Sequence, residues 1–269
     1  MLIDTHCHLT FPDLAPQSAA VLERARAAGV TRVINVTTTL AEARAGFNLL
    51  LDQPGVCFVA GIHPHNAGRC GPDDLAALTD LFHGRWRTSV NPQRLVGVGE
   101  TGLDFHYDFA PRDTQERVFH AHLDLAGAVD RPVVIHAREA EERVCDILTD
   151  YPRLAGRVVF HCYSADVATT RRIIDQGNYV SFTGVVTFKN AQMAREAAAA
   201  VPMDRLMVET DCPYMSPEPV RSRKPNEPAL MVHTAHFLAE LKGLSAEQFA
   251  SESTRTAIRF FGLIPTGDV

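Results

Sequence analysis

Lysine is nearly missing from this chain. Only Lys189, Lys224 and Lys242 occur among 269 residues, so the 26 basic residues are almost all arginine; against 32 acids they leave a formal net charge of −6. That balance argues against a protein that coats nucleic acid through a broad basic face. It leaves a nuclease open, because bound divalent cations reverse the local sign of a pocket. The six cysteines (Cys7, Cys57, Cys70, Cys145, Cys162, Cys212) form no CxxC pair and no secreted-type spacing. Several lie in apolar runs and read as reduced, buried thiols. No stretch approaches the ~18 uninterrupted apolar residues of a membrane-spanning helix. Residue 2 already opens a strand-like run, with no basic or apolar leader region, so no targeting segment and a cytoplasmic location are expected. Internal repeats, low-complexity tracts and interdomain linkers are also absent.

What is present is ordinary in bulk and informative in order. A hydrophobic fraction of 46% and a charged fraction of 22% exclude a disordered chain, a collagen-like fibre and a coiled coil. The length suits one α/β barrel or two smaller domains. Short apolar runs at 2–4, 32–36, 56–60, 95–99, 132–135, 158–160, 179–182 and 206–208 are too continuously apolar for half-exposed hairpins and fit buried parallel strands. Helix-like stretches separate them at 17–28, 40–52, 72–83, 112–129, 138–150, 165–176 and 190–200, with two more at 227–242 and 245–261. This alternation predicts a single (β/α)8 TIM barrel over residues 1–269. An open doubly wound sheet is the runner-up, disfavoured because no Gly-rich phosphate turn follows the first run. The proline-dense loop 213–228 is expected to border a site.

In such a barrel the chemistry sits at the C-terminal ends of the strands. The first run leads into His6-Cys7-His8, the third into His63-Pro64-His65, and the fourth into Glu100 and Asp104. The fifth leads into His136, the sixth into His161, and the eighth into Glu209-Thr210-Asp211. An HxH pair on an extended segment puts two imidazoles on one side, a weak signal alone. Metal-capable residues at the same end of six strands are hard to obtain from packing, and predict a metal site. His83, His120, His122, His233 and His236 read instead as surface or packing residues; His106 sits in the loop after the fourth run.

At these residues the chain resembles the TatD-type metal-dependent nucleases, a branch of the amidohydrolase-like barrels. The motifs DTHCHL, GIHPH, GETGLDFH, PVVIHAREA, VFHCYS, SFTGVVTFKNA, VETDCPY and PNEP carry the resemblance over residues 2 to 262. It implies a divalent-metal hydrolase with deoxyribonuclease (phosphodiesterase) activity. It makes His6, His8, Glu100, His136, His161 and Asp211 the metal ligands, and His63 a neighbour of substrate or water. The donor set suits a two-metal site that clamps attacking and leaving oxygens. Glu100 is expected to bridge, with His6, His8 and Asp211 on one ion and His136 and His161 on the other. None of the three lysines lies on the fourth run, so a carboxylate takes the bridging place that a carbamylated lysine holds in related barrels. Asp211 either accepts a proton in forming the metal-activated hydroxide or only orients a water. Glu209 either supports a ligating histidine or packs in the barrel. Two divalent ions are expected, with zinc, magnesium or manganese left open.

Two departures from the family pattern, Thr101 with Phe105-His106 and the run RSRKPNEP, are expected to lie where substrate rests. A phosphodiester needs further donors, for which Arg138, Ser181, Lys189, Arg221 and Arg223 are the candidates beside His63; solvated or paired surface charges are the alternative for the cations. Phe105, Tyr107, Tyr163, Phe188 and Tyr214 either stack unpaired bases or pack at the rim. The expected substrate is single-stranded DNA or strand ends, with RNA or tRNA open, attacked as by a 3′ exonuclease, by a monomer without membrane or obligate protein partner. Alternatives are a deacylase of D-aminoacyl-tRNA, another amide or ester hydrolase on the same metals, or a non-catalytic metal-binding module.

Overall fold

In the computed structural model, which describes residues 1–86 and 91–264, eight parallel strands pair in sequence order around one sheet. The parts of the expected domain at 87–90 and 265–269 lie outside the described residues. The strands are β1 (Leu2–Cys7), β2 (Val30–Thr37), β3 (Val56–Ala60), β4 (Leu95–Asp104), β5 (Val133–Arg138), β6 (Val158–Phe160), β7 (Tyr179–Phe182) and β8 (Leu206–Val208). Just beyond β8 the chain returns to β1: Cys7 pairs with Cys212, Asp211 N–H donates to the His6 carbonyl at 2.9 Å, and His8 N–H donates to the Cys212 carbonyl at 2.9 Å. The sheet is therefore a nearly closed (β/α)8 barrel.

Helices α1 (Ser18–Ala27), α2 (Leu40–Leu49), α3 (Pro72–Phe82), α4 (Arg112–Val129), α5 (Glu141–Leu148), α6 (Val167–Asp175), α7 (Gln192–Ala200), α8 (Met231–Lys242) and α9 (Ala246–Phe261) surround it. Their starts follow local chemistry. Thr39 and Asp166 accept from the amides of Glu42 and Thr169, and Ser245 and Gln248 form a reciprocal capping box. No described helix is long and apolar enough to cross a membrane.

The barrel interior is a layer drawn from every strand: Ile3, Ile34, Val36, Val59, Val96, Val134, Val159, Tyr179 and Met207. Ala257, Phe260 and Phe261 of α9 pack against that layer and plug the N-terminal end. The C-terminal end is left for polar residues. A register shift in β1 between Asp4 and Cys7 contributes to this arrangement. Residues 3 and 6 would face opposite sides of a regular strand; with the shift, Ile3 packs inside and His6 also reaches the interior.

Four strands run longer than the apolar runs suggested. β4 continues through Glu100 to Asp104, and all ten of its residues are buried. Its polar, glycine-rich end lowers strand propensity, but close packing requires the glycines. A Cβ on Gly61 would stand 2.6 Å from Gly99 Cα, and Gly102 has φ 134° with the His136 carbonyl 2.1 Å from any Cβ. These approaches bring the ends of β3, β4 and β5 together.

Candidate metal centre

Glu100 lies at the focus of the mouth, 2% exposed. Its Oε1 is 3.3 Å from His63 Nε2, 3.1 Å from His136 Nδ1 and 2.8 Å from His161 Nε2. Its Oε2 is 3.4 Å from His6 Nε2 and 3.8 Å from His8 Nε2. Asp211 Oδ1 closes the far side, 3.3 Å from His8 Nε2 and 3.8 Å from His6 Nε2. The two oxygens of one carboxylate thus face two sets of imidazoles, from β1 on one side and from the ends of β3, β5 and β6 on the other.

The ring nitrogens fit cations better than they fit one another. His8 Nδ1 lies 3.0 Å from the Val36 carbonyl and holds a proton there, so Nε2 is the nitrogen that faces inward, where a cation can replace its proton. His136 Nε2 lies 3.0 Å from Asp104 Oδ2, which leaves Nδ1 to face Glu100. His6 Nε2 and His8 Nε2 are only 3.2 Å apart. Two nitrogens about 2.0–2.1 Å from one tetrahedral ion are separated by roughly 3.3 Å. Neither ring nitrogen of the buried His161 has a properly directed hydrogen bond among the described residues, nor does His6 Nδ1. Two triplets, His6–His8–Glu100 and Glu100–His136–His161, hold their donor atoms close enough for a shared ion, as does His6–His161–Asp211. His63 differs: its Nδ1 accepts from His65 N–H at 3.1 Å, so Nε2 carries the proton and points to Glu100 as a donor.

The electrostatics favour positive charge here. Burial alone would raise Glu100, but the imidazoles of His161, His63 and His136 hold it well below the usual carboxylate range. Burial pulls His8 down, and Asp211 with Glu100 and Glu42 more than reverses this, pushing it up to about 9. His161 and His136 are raised in the same way against their burial. The carboxylates that draw protons onto these rings would equally draw divalent ions. His63, by contrast, is lowered to about 4 by burial and stays neutral.

A second layer holds these groups; the sequence marks Glu209 as a candidate for such a role and Asp104 as a strand-end acid, but not the bonds they make. Asp104 takes His136 Nε2 and His65 Nε2 on Oδ2, at 3.0 and 2.7 Å, and the amides of His106 and Tyr107 on Oδ1. Asp4, fully buried, accepts from Thr210 N–H, Thr210 Oγ1 and His6 N–H, tying β1 to the Asp211 turn. Asn226 donates to the carbonyls of Thr210 and Tyr214. Glu227 is gripped by Arg24 through both Nε and Nη2. Asp211 itself has φ 53°, a left-handed conformation an aspartate tolerates better than most residues. Glu209 stands behind His161, with Oε1 3.4 Å from Nδ1, and also accepts from Cys162 N–H and Ser181 Oγ.

The expected substrate contacts fare unevenly. Ser181 is 1% exposed and its hydroxyl is committed to Glu209, so it does not face the mouth. Arg221 lies over the Phe188 ring at 3.9 Å and 3.9 Å from Glu218, and Arg223 donates to Glu227. Lys189 is exposed, and Arg138 is exposed and stacked 4.7 Å from the Tyr107 ring centre. Of the departures from the family pattern, Thr101 is fully buried and Phe105 lies half-buried under Arg112, whereas His106 is exposed and paired with Glu139. Tyr163 is buried with its hydroxyl near Thr170. Phe11, stacked on His8 at 4.6 Å, and Phe109, 4.7 Å from the His65 ring, are rim aromatics that no motif marked.

Comparison with known proteins gives this arrangement its family. Residues 3–262 match the sequence model for the TatD-related DNases. The chain is 35% identical to the metal-dependent hydrolase YabD of Bacillus subtilis, over 97% of this chain and 99% of that one. It is 32% identical to the 3′-5′ ssDNA/RNA exonuclease TatD of Erwinia tasmaniensis, over 97% and 100%. The crystal structure of YjjV, a TatD homologue from Escherichia coli, superposes with a TM-score of 0.90 at 27% identity, covering 98% of both chains.

Proposed function

The chain belongs to the TatD-related DNase family and is a metal-dependent hydrolase, and from that premise we propose a two-metal phosphodiesterase that removes nucleotides from single-stranded 3′ ends. The observation that carries the reading is Glu100, whose two oxygens each face a separate set of imidazoles. His6, His8 and Asp211 would hold one divalent ion, His136 and His161 the other, and Glu100 would bridge. Bound there, the ions supply Lewis acidity toward a phosphoryl oxygen and lower the pKa of water.

The protein's own groups do the rest. Burial would raise the Asp211 carboxyl, but the imidazoles of His8, His161 and His6 hold it below its ordinary value, so at neutral pH it is ionised and can accept the proton of the attacking water. It is also the ligand nearest solvent on the β8 side, at 9% exposure. His63 presents an Nε2–H beside Glu100 as a donor to a phosphoryl oxygen or to the water. The similarity to an exonuclease of single strands supports the substrate class.

The test is metal analysis of the native protein together with activity restored ion by ion on a 3′-single-stranded oligonucleotide. Two ions per chain and stepwise release of mononucleotides from the 3′ end are expected. Cleavage of closed circular duplex as fast as that end, or turnover of D-aminoacyl-tRNA but not the oligonucleotide, would overturn the proposal. Asp211→Asn should lose about 10²–10⁴ in rate as a missing proton acceptor while its far-ultraviolet spectrum is retained; an unchanged rate removes Asp211 from the mechanism.

A further inference from the structure

We propose that Tyr107 and Phe109, in the loop after β4, form a stacking platform for the unpaired base beside the scissile phosphodiester, with Arg138 reaching that nucleotide's phosphate. This rests on the nuclease reading above and names the part of the site that takes the base.

Two aromatic rings on one short segment stand largely in solvent: Tyr107 is 42% exposed and Phe109 64%. Ring centres 5.4 Å apart, tilted by 36°, make them one surface. Burial would stabilise such residues by a few kcal/mol, so leaving them in water asks for an occupant. Their place says which. Phe109 lies 4.7 Å and Tyr107 5.5 Å from the ring of His65, which is itself 5.9 Å from His136. The platform is therefore one ring removed from the groups around Glu100. A base there would leave its phosphate within reach of the cluster.

The loop is held for binding rather than left loose. Tyr107 N–H and His106 N–H both donate to Asp104 Oδ1 at 3.0 Å, and Gln115 Nε2 donates to the carbonyls of Asp104 and Ala110. The Asp104 that fixes the platform also orients His136. Arg138 adds charge complementarity: its guanidinium lies 4.7 Å from the Tyr107 ring centre. A guanidinium stacked on a ring keeps its in-plane donors for a phosphate. Of the other aromatics near the mouth, Phe188 is covered by Arg221 and Phe105 by Arg112, while Tyr214, 54% exposed, stands on the β8 side with no cation stacked on it among the described residues.

The experiment compares wild type with Tyr107→Ala and Phe109→Ala on two single strands, one normal and one carrying tetrahydrofuran (abasic) units at its last two 3′ positions. Truncating exposed rings leaves the core untouched. Each variant should lose about 10- to 100-fold in kcat/KM on the normal strand, the worth of one stacked base. The abasic strand should cost wild type a similar factor and cost the variants nothing further. In parallel, 2-aminopurine at the 3′ end of a phosphorothioate strand should be quenched on binding wild type and not the variants. Unchanged cleavage of the normal strand by both variants, or an equal loss on both strands, overturns the platform. Failure of wild type to cut either strand sinks the nuclease reading, and the quenching then decides the platform separately.

Discussion

Glu209 shows how a buried carboxylate can act on a site it does not enter. It is 1% exposed, and its Oε1 lies 3.4 Å from His161 Nδ1 while its other contacts go to Ser181 and the Cys162 amide. A carboxylate behind an imidazole fixes the ring's tautomer and raises its basicity. Glu209→Gln removes that charge at constant volume and keeps the acceptor for the Cys162 amide. It should weaken metal affinity or activity by about 10- to 100-fold with the melting temperature little changed, checked by chelator competition alongside thermal melts; unaltered affinity and rate would reduce Glu209 to a packing residue. At this scale the sequence was legible where a histidine or acid closed an apolar run: His6, His8, Glu100, His136, His161 and Asp211 converge within a few ångströms of one another. Asp104 and His65 were visible as metal-capable residues at the ends of their runs, but the bonds of Asp104 to His136 and to His65, and that of Asp4 to Thr210, were not, because those partners come from other strands and loops. Ser181 was misjudged for the same reason: its position in a strand near the mouth is visible, but its bond to Glu209, 28 residues away, is not.

Among the elements, α4 reaches furthest toward the site without touching it. His122, on its inner face, is fully buried; Nε2 accepts from Ile62 N–H at 3.0 Å and Nδ1 donates to the Val118 carbonyl at 2.7 Å. The helix thereby pins the residue before His63. Burial lowers the His122 imidazole to about 4, with the Val118 bond opposing. The unfolded chain therefore takes up a proton near pH 6.5 that the folded chain refuses until about 4. This contribution to stability is complete above pH 6.5 and is lost as pH falls toward 4, roughly 3 kcal/mol in all. Urea unfolding at pH 7.5 and at pH 4 should show wild type losing about that much more than His122→Gln, which does not titrate; parallel losses would mean that His122 is protonated in the folded state. The barrel itself was readable because apolar runs and amphipathic stretches alternate, and a packing role for His122 was expected from its place in a helical stretch. The length of β4 was not, since the run GETGLD looks like a loop: glycine and acids disfavour strands, and only the backbone contacts of Gly61, Gly99 and Gly102 show why they persist here.

For the molecule as a whole, the proposed nuclease reading asks a chain of net charge −6 to hold a polyanion. Long-range attraction contributes little, and the cations expected to help are partly spent: Arg221 lies 3.9 Å from Glu218 and Arg223 donates to Glu227. Of the cations expected to contact substrate, Arg138 and Lys189 are exposed and have no acidic partner among the described residues. Affinity for a strand must then come mainly from ions in the mouth and from stacking, both of which are local. Each phosphate neutralised by a protein cation adds about −0.7 to the slope of log K against log salt for a single strand. Two to four such contacts give a slope between about −1 and −3, far shallower than that of proteins that follow a duplex backbone. Fluorescence anisotropy of a labelled single strand, titrated from 50 to 300 mM salt at fixed divalent ion, measures it. A steep slope, near −6, would mean that a basic track outside the barrel mouth carries the binding, and that the preference for ends proposed here has the wrong cause. A shallow slope together with weak duplex binding fits a site reached only through the narrow C-terminal mouth, which a strand terminus enters more easily than a rod.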